Sequence, residues 1–166
     1  MSKYMGFTLV ELLIVLIIVS IFSAVAVPVY QNEVGKSDAA AVEQELQKLA
    51  EQLERYKSRN FSYHGFDPKY LYEKSTAISS FDFPLNKPKK YKINLYDGSE
   101  RSPTAVKSLL SSSDGLGQRW VIIALSENAR NYSYFIDSTG VRCKNKTKAN
   151  INYMGCGTEV SGMKNW

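Results

Sequence analysis

The chain has 166 residues, of which about 30 form a leader and an apolar block, so the remainder suits one modest domain with a small core. Lysine and arginine total 21 against 16 acids, and removing the leader lysine, Lys3, trims that surplus by one. So mild a basic balance permits an anionic partner without demanding one, and it excludes any functional reading built on net charge alone.

The leader from Met1 to Gly6 carries one charge and no apolar core, and the apolar block begins after Gly6. An ordinary secretory signal peptide has its apolar core before a small-residue cleavage site, so this is not one. From Leu12 to Tyr30 no side chain is charged, and Ser20 and Ser23 are the only hydrogen-bonding side chains before Tyr30. A helix over Phe7 to Tyr30 is long enough to span the ~30 Å hydrocarbon core of a bilayer. Glu11 interrupts the front of this block. A lone carboxylate there costs a few kcal/mol or more, which points to a positive partner; the alternative is that it snorkels to the headgroups.

The run Gly6-Phe7-Thr8-Leu9-Val10-Glu11-Leu12-Leu13-Ile14-Val15 resembles the prepilin signature of the type IV pilin family. That family includes pilus subunits, competence pilins and the pseudopilins of type II secretion. The resemblance implies that a prepilin peptidase cuts between Gly6 and Phe7 and that the new amino terminus of Phe7 is N-methylated. It also implies that Glu11 neutralises the terminal ammonium of a neighbouring subunit during assembly, which answers the cost of the carboxylate because paired charges tolerate low dielectric.

Three segments follow: a leader over 1–6, a transmembrane and polymerisation half-helix over 7–30, and a globular domain over 31–166 that includes an amphipathic half-helix. Lys3 marks a cytoplasmic amino terminus. The domain after Tyr30 then faces the periplasm or the exterior, where the two cysteines can pair.

Pro28 leaves the carbonyl of Ala24 without its helical donor, so a bend or local loosening is expected there. Beyond it the helix continues over Gln31 to Lys57, with Val42, Leu46, Leu49, Leu53 and Tyr56 forming one apolar stripe. Glu43, Glu45, Lys48, Glu51, Glu54 and Arg55 fill the other faces. The stripe is short for a coiled coil and a strand-rich region follows, so it is expected to dock on a sheet. Ser58 to Lys89 is irregular and aromatic-rich, with a short helical turn near Pro68 to Glu73 and aromatics that seat the connection on the domain. Strands are expected over Lys90 to Leu95, Arg119 to Leu125 and Tyr132 to Ile136, separated by a Ser/Gly-rich stretch from Asp97 to Gln118 and a turn over Ser126 to Asn131, with a turn over Asp137 to Gly140 after the last. Their short links imply an antiparallel sheet.

In the tail, Cys143 and Cys156 lie thirteen positions apart. If joined, they would add roughly 3 kcal/mol in the chain-entropy model; with the single histidine, His64, they make a poor metal-ligand set. The family resemblance implies that they close a disulfide loop. The stretch Asp137-Ser138-Thr139-Gly140-Val141-Arg142-Cys143 with Cys156-Gly157 is similar to the tail of PilE-type minor pilins. The region from Cys143 to Trp166 contains one acid, Glu159, whereas type II secretion pseudopilins hold this region with calcium and acidic ligands.

No catalytic constellation, phosphate-binding glycine motif, metal cluster or Cys-x-x-Cys stands in the sequence, so no enzyme, cofactor or metal is expected. Nucleic-acid binding has a signal. Arg142, Lys144, Lys146 and Lys148 fall on every second residue, so an extended segment would show all four on one face; Lys87, Lys89, Lys90 and Lys92 form a second cluster beside Tyr91. Such residues neutralise phosphates, or they merely solvate strand edges. The reading is an α+β pilin fold: a long N-terminal helix on a small antiparallel sheet, closed by a disulfide loop. The resemblance implies a minor pilus subunit held in the inner membrane by one pass, then incorporated with other major and minor pilins into an extracellular helical filament by the pilus assembly machinery. It would serve assembly, twitching, adhesion or DNA uptake. The alternatives are a competence pilin with DNA as partner and a type II secretion pseudopilin.

Overall fold

The computed structural model describes residues 8–73, 76–85, 87–99, 110 and 115–166. The chain forms two compact units, Met1–Ser37 and Asp38–Trp166. Helix α1, Leu9–Asn60, begins in the first and ends in the second, with helical backbone running through Pro28.

In the first unit the large apolar side chains from Leu9 to Tyr30 are all exposed, from 47% at Ile18 to 81% at Leu9. By length and composition this segment can cross a membrane. Thr8 and Glu11 open α1 as a capping box: Glu11 Oε2 accepts from Thr8 N at 3.0 Å and from Thr8 Oγ1 at 2.9 Å, while Glu11 N donates to Thr8 Oγ1 at 3.3 Å.

In the second unit six antiparallel strands lie in sequence order: β1 Ser80–Phe83, β2 Tyr91–Asp97, β3 Trp120–Ser126, β4 Ser133–Asp137, β5 Arg142–Asn145 and β6 Lys164–Asn165. The three expected strands are β2, β3 and β4, and the turns around β4 fall where expected. Strands β1, β5 and β6 go beyond that reading because each is only two to four residues long, too short to show alternation. The helical turn expected near Pro68 is a 3-10 turn over Pro68–Leu71, opened by Asp67, whose Oδ1 accepts from Lys69 N at 3.0 Å.

Period-two alternation places two cores on opposite faces of the sheet. On one face Val42, Leu46, Leu49 and Leu53 of α1, all fully buried, pack with Ile93, Leu95, Ile122, Ala124, Tyr134 and Ile136. The stripe therefore docks on the sheet, and Tyr56 packs at its border. On the other face Val121, Ile123 and Phe135 are covered by Cys143, Ile151, Tyr153 and Cys156 of the C-terminal loop. Cys143 and Cys156 form the disulfide, with Cα atoms 6.0 Å apart.

Glu43, Glu45 and Glu54 fill the faces beside the stripe as expected, and each also has a partner beyond the helix. Glu43 meets Lys144 of β5 at 3.5 Å, Glu45 accepts from the Tyr72 hydroxyl, and Glu54 Oε1 accepts from Tyr63 Oη at 2.8 Å and Trp120 Nε1 at 3.1 Å. They flank the stripe closely enough to reach across to strands and loop. The connecting aromatics divide: Tyr63, Phe66, Tyr72 and Phe81 are buried, whereas Phe61 is 91% exposed and Tyr70 is exposed too.

Candidate nucleic-acid interface

The register explains why lysines distant in sequence meet. Tyr91 pairs with Ser126, and Ser133 pairs with Asn145. The start of β2, the β3–β4 turn and the end of β5 therefore lie at the same end of the sheet. Both basic clusters reach this end, and Glu127 of the turn stands between them. Its Oε1 lies 3.1 Å from Lys89 Nζ and 3.8 Å from Lys148 Nζ, and Lys89 also reaches Asp82 Oδ1 at 3.3 Å. The hydrogen bond that Lys89 donates to Glu127, aided by Asp82, holds its ammonium above its ordinary pKa.

The turn is built by its own side chains. Ser126 N donates to Ser133 Oγ at 2.9 Å, Asn128 N to Ser126 Oγ at 3.1 Å, and Arg130 N to Asn128 Oδ1 at 3.0 Å. These local bonds are the ones Ser and Asn favour in turns. Glu127 N donates to Lys90 O at 2.9 Å, which ties the turn to the start of β2. Between this turn and the segment after β5 lies a cavity of about 310 Å³, lined by Ser126, Glu127, Asn128, Asn131, Lys146 and Lys148 among others.

The four basic residues of the tail do not form one stripe. Asn145 Oδ1 accepts from Thr147 N at 2.9 Å, so the chain turns as β5 ends, and Lys148 enters a 3-10 turn over Lys148–Asn150. Arg142, Lys144 and Lys146 follow a row of rings instead. Arg142 lies 5.8 Å from the Trp166 ring, Lys144 lies 5.4 Å from Tyr132 and 5.7 Å from Tyr134, and Lys146 lies 5.3 Å from Tyr132. The Lys144 side chain is only 23% exposed and faces Glu43; it serves the fold. Lys146 and Lys148 are exposed and line the cavity.

Of the other expected site residues, Gly6 and Phe7 lie outside the described residues, and Glu11 caps its own helix. His64 is an exposed loop residue whose carbonyl accepts from Tyr56 Oη at 3.1 Å. Sequence reasoning missed Glu127 and Glu43, whose partners lie far along the chain. It also missed the capping box, although the pattern Thr8-Leu9-Val10-Glu11 is its local signature.

Against known families, residues 28–158 match the model described as type IV minor pilin ComP, DNA uptake sequence receptor. The chain belongs to the ComP minor pilin family. Residues 1–27 match the prokaryotic N-terminal methylation motif, which bears out the prepilin reading of the leader. Among curated relatives, this ComP-family pilin is 46% identical over 46 residues to the type IV major alpha-pilin of Moraxella bovis, covering 28% of this chain and 29% of that one. It is 41% identical over 53 residues to the type IV major fimbrial protein FimA of Dichelobacter nodosus, covering 32% and 34%. The matches thus span about a third of each relative's length. No solved structure matches. The α+β pilin fold and the minor-pilin assignment both stand, in a family of structural pilus subunits.

Proposed function

We propose that this ComP-family pilin is a minor subunit of a type IV pilus that binds DNA at the basic end of its sheet and so takes part in DNA uptake. The observation that carries the reading is that Lys146 and Lys148 line a cavity between the β3–β4 turn and the segment after β5, while Lys89 of the other basic cluster reaches its rim through Glu127. Lysines there neutralise phosphates, while Asn128 and Asn131 offer amides that can hydrogen-bond to base edges. The family description, a DNA uptake sequence receptor, supports the same reading. It brings the DNA-binding alternative ahead of a purely assembly role. The pseudopilin alternative lacks support, since the C-terminal loop is closed by a disulfide.

In this reading a prepilin peptidase cuts between Gly6 and Phe7, Phe7 is N-methylated, and the chain waits in the inner membrane with its amino terminus in the cytoplasm. The apolar half of α1 then leaves lipid for an equally apolar bundle of neighbouring pilin helices. Glu11 exchanges its Thr8 partners for the ammonium of an adjacent Phe7, which sets register.

The test is a deletion in the native host, complemented with wild type, Lys146→Glu/Lys148→Glu or Glu11→Ala, and scored for surface pili, twitching and natural transformation. The double variant should keep pili and lose transformation, and Glu11→Ala should be processed and inserted but absent from pili. Full transformation by the double variant would remove the DNA site, and normal incorporation of Glu11→Ala would contradict its role.

A further inference from the structure

Glu127 is an odd residue to find in the middle of a phosphate-binding surface. It lies between the two lysine clusters, lines the cavity, and places one oxygen within 4 Å of two lysines that belong to different segments, Lys89 and Lys148. It is not there to hold the fold: its side chain is 40% exposed and those of Lys89 and Lys148 are 38% and 52% exposed, and pairs this exposed contribute little to stability. Its position is nevertheless set, because its backbone N–H is bound to Lys90 O and Ser126, just before it, is bound across the turn to Ser133.

Any phosphate that docks on Lys89 or Lys148 must displace this carboxylate or sit beside it. Displacement forfeits an existing ion pair, and a neighbouring negative charge repels the phosphate. Both effects fall on backbone contacts, which every sequence offers alike. Neither weakens hydrogen bonds between the cavity amides and base edges. We propose that Glu127 is a specificity-determining residue that suppresses sequence-independent DNA binding, leaving stable capture to duplexes whose bases add contacts in the cavity. The inference rests on the DNA-binding reading above and names the residue that would make that binding selective.

The test uses the full chain in detergent micelles. A random-sequence duplex pool is selected on wild-type protein, and affinities for the enriched duplex and for the unselected pool are measured over a salt series. Wild type, Glu127→Gln, Glu127→Ala and the control Glu159→Gln are compared. Both Glu127 variants should bind the unselected pool about tenfold more tightly, with the enriched duplex gaining less, so that the ratio between them falls. Because Lys148 becomes free for a phosphate while Lys89 keeps Asp82, the slope of log affinity against log salt should steepen by about one. The control should behave as wild type. Wild type that binds the enriched duplex, with Glu127 variants of unchanged or higher selectivity and unchanged slope, overturns the role of Glu127 while leaving DNA binding in place. Wild type that binds neither duplex removes the DNA reading itself, and this inference with it.

Discussion

Trp120 Nε1 donates to Glu54 Oε1 at 3.1 Å, joining the first residue of β3 to the last third of α1. The same oxygen accepts from Tyr63 Oη at 2.8 Å. A helix carboxylate thus holds a strand and a loop at once. Glu54→Ala strands two partly buried donors and should lower stability by about 2–3 kcal/mol, whereas Glu54→Gln keeps an acceptor and should cost less. Urea unfolding of the full chain in detergent measures both.

Burial of the core tyrosines sets an alkaline limit. Burial and then Glu54 push the Tyr63 phenol from 10.0 up to about 12, and burial with Asp38 does the same to Tyr91. Folded-state values above the unfolded one mean that stability is fully present below pH 10 and is lost as pH rises through about 12. Unfolding curves between these limits should show the decline, and Tyr63→Phe should make it shallower. A flat profile would contradict the assignment.

Gly117 anchors the end of the long β2–β3 connection. Its φ is +63°, and a Cβ there would lie 2.4 Å from His64 N. Its carbonyl accepts from Tyr63 N at 2.8 Å and from Ser62 Oγ at 3.1 Å, and its N–H donates to Asp97 Oδ2 at 2.7 Å. Gly117→Ala combines left-handed backbone with a clash and should destabilise the chain by about 2 kcal/mol or more, read as a lowered Tm.

Two neighbouring lysines should respond differently to charge reversal. Lys144→Glu sets a carboxylate against Glu43 and removes a cation from Tyr132 and Tyr134, so its main effect should be a lower Tm. Lys146→Glu should leave Tm nearly unchanged, weaken duplex binding, and flatten the salt dependence by about one phosphate. Equal effects on both readouts for the two variants would remove the distinction.

Opening the disulfide by Cys143→Ser and Cys156→Ser should cost roughly 3 kcal/mol by chain entropy. It should also loosen the cover over Val121, Ile123 and Phe135. Amide exchange in β3 and β4 would report it, and unchanged protection there would mean the loop packs without its bond.

What was legible in the sequence was local or periodic. The prepilin motif, the spacing from Val42 to Leu53, the alternation around Ile93 and the β-branched run at Val121 each carry their signal within a few residues. The three short strands, β1, β5 and β6, were not legible, because two to four residues show no period. The site was half legible. Alternating basic residues from Arg142 to Lys148 stand out, but Asn145 ends the strand beneath them, and only the register brings Lys89 and Glu127 to the same place. Ion pairs between residues such as Glu43 and Lys144 have no sequence periodicity to announce them.

The sheet works as a partition. Ile122, Ala124 and Ile136 answer to the helix, while Val121, Ile123 and Phe135 answer to the disulfide loop. Neighbours along one strand are therefore subject to separate demands. Variation in the loop between Cys143 and Cys156 is felt mainly by the outer set, so a lineage of such pilins can diversify the loop's surface while the inner set stays committed to its helix.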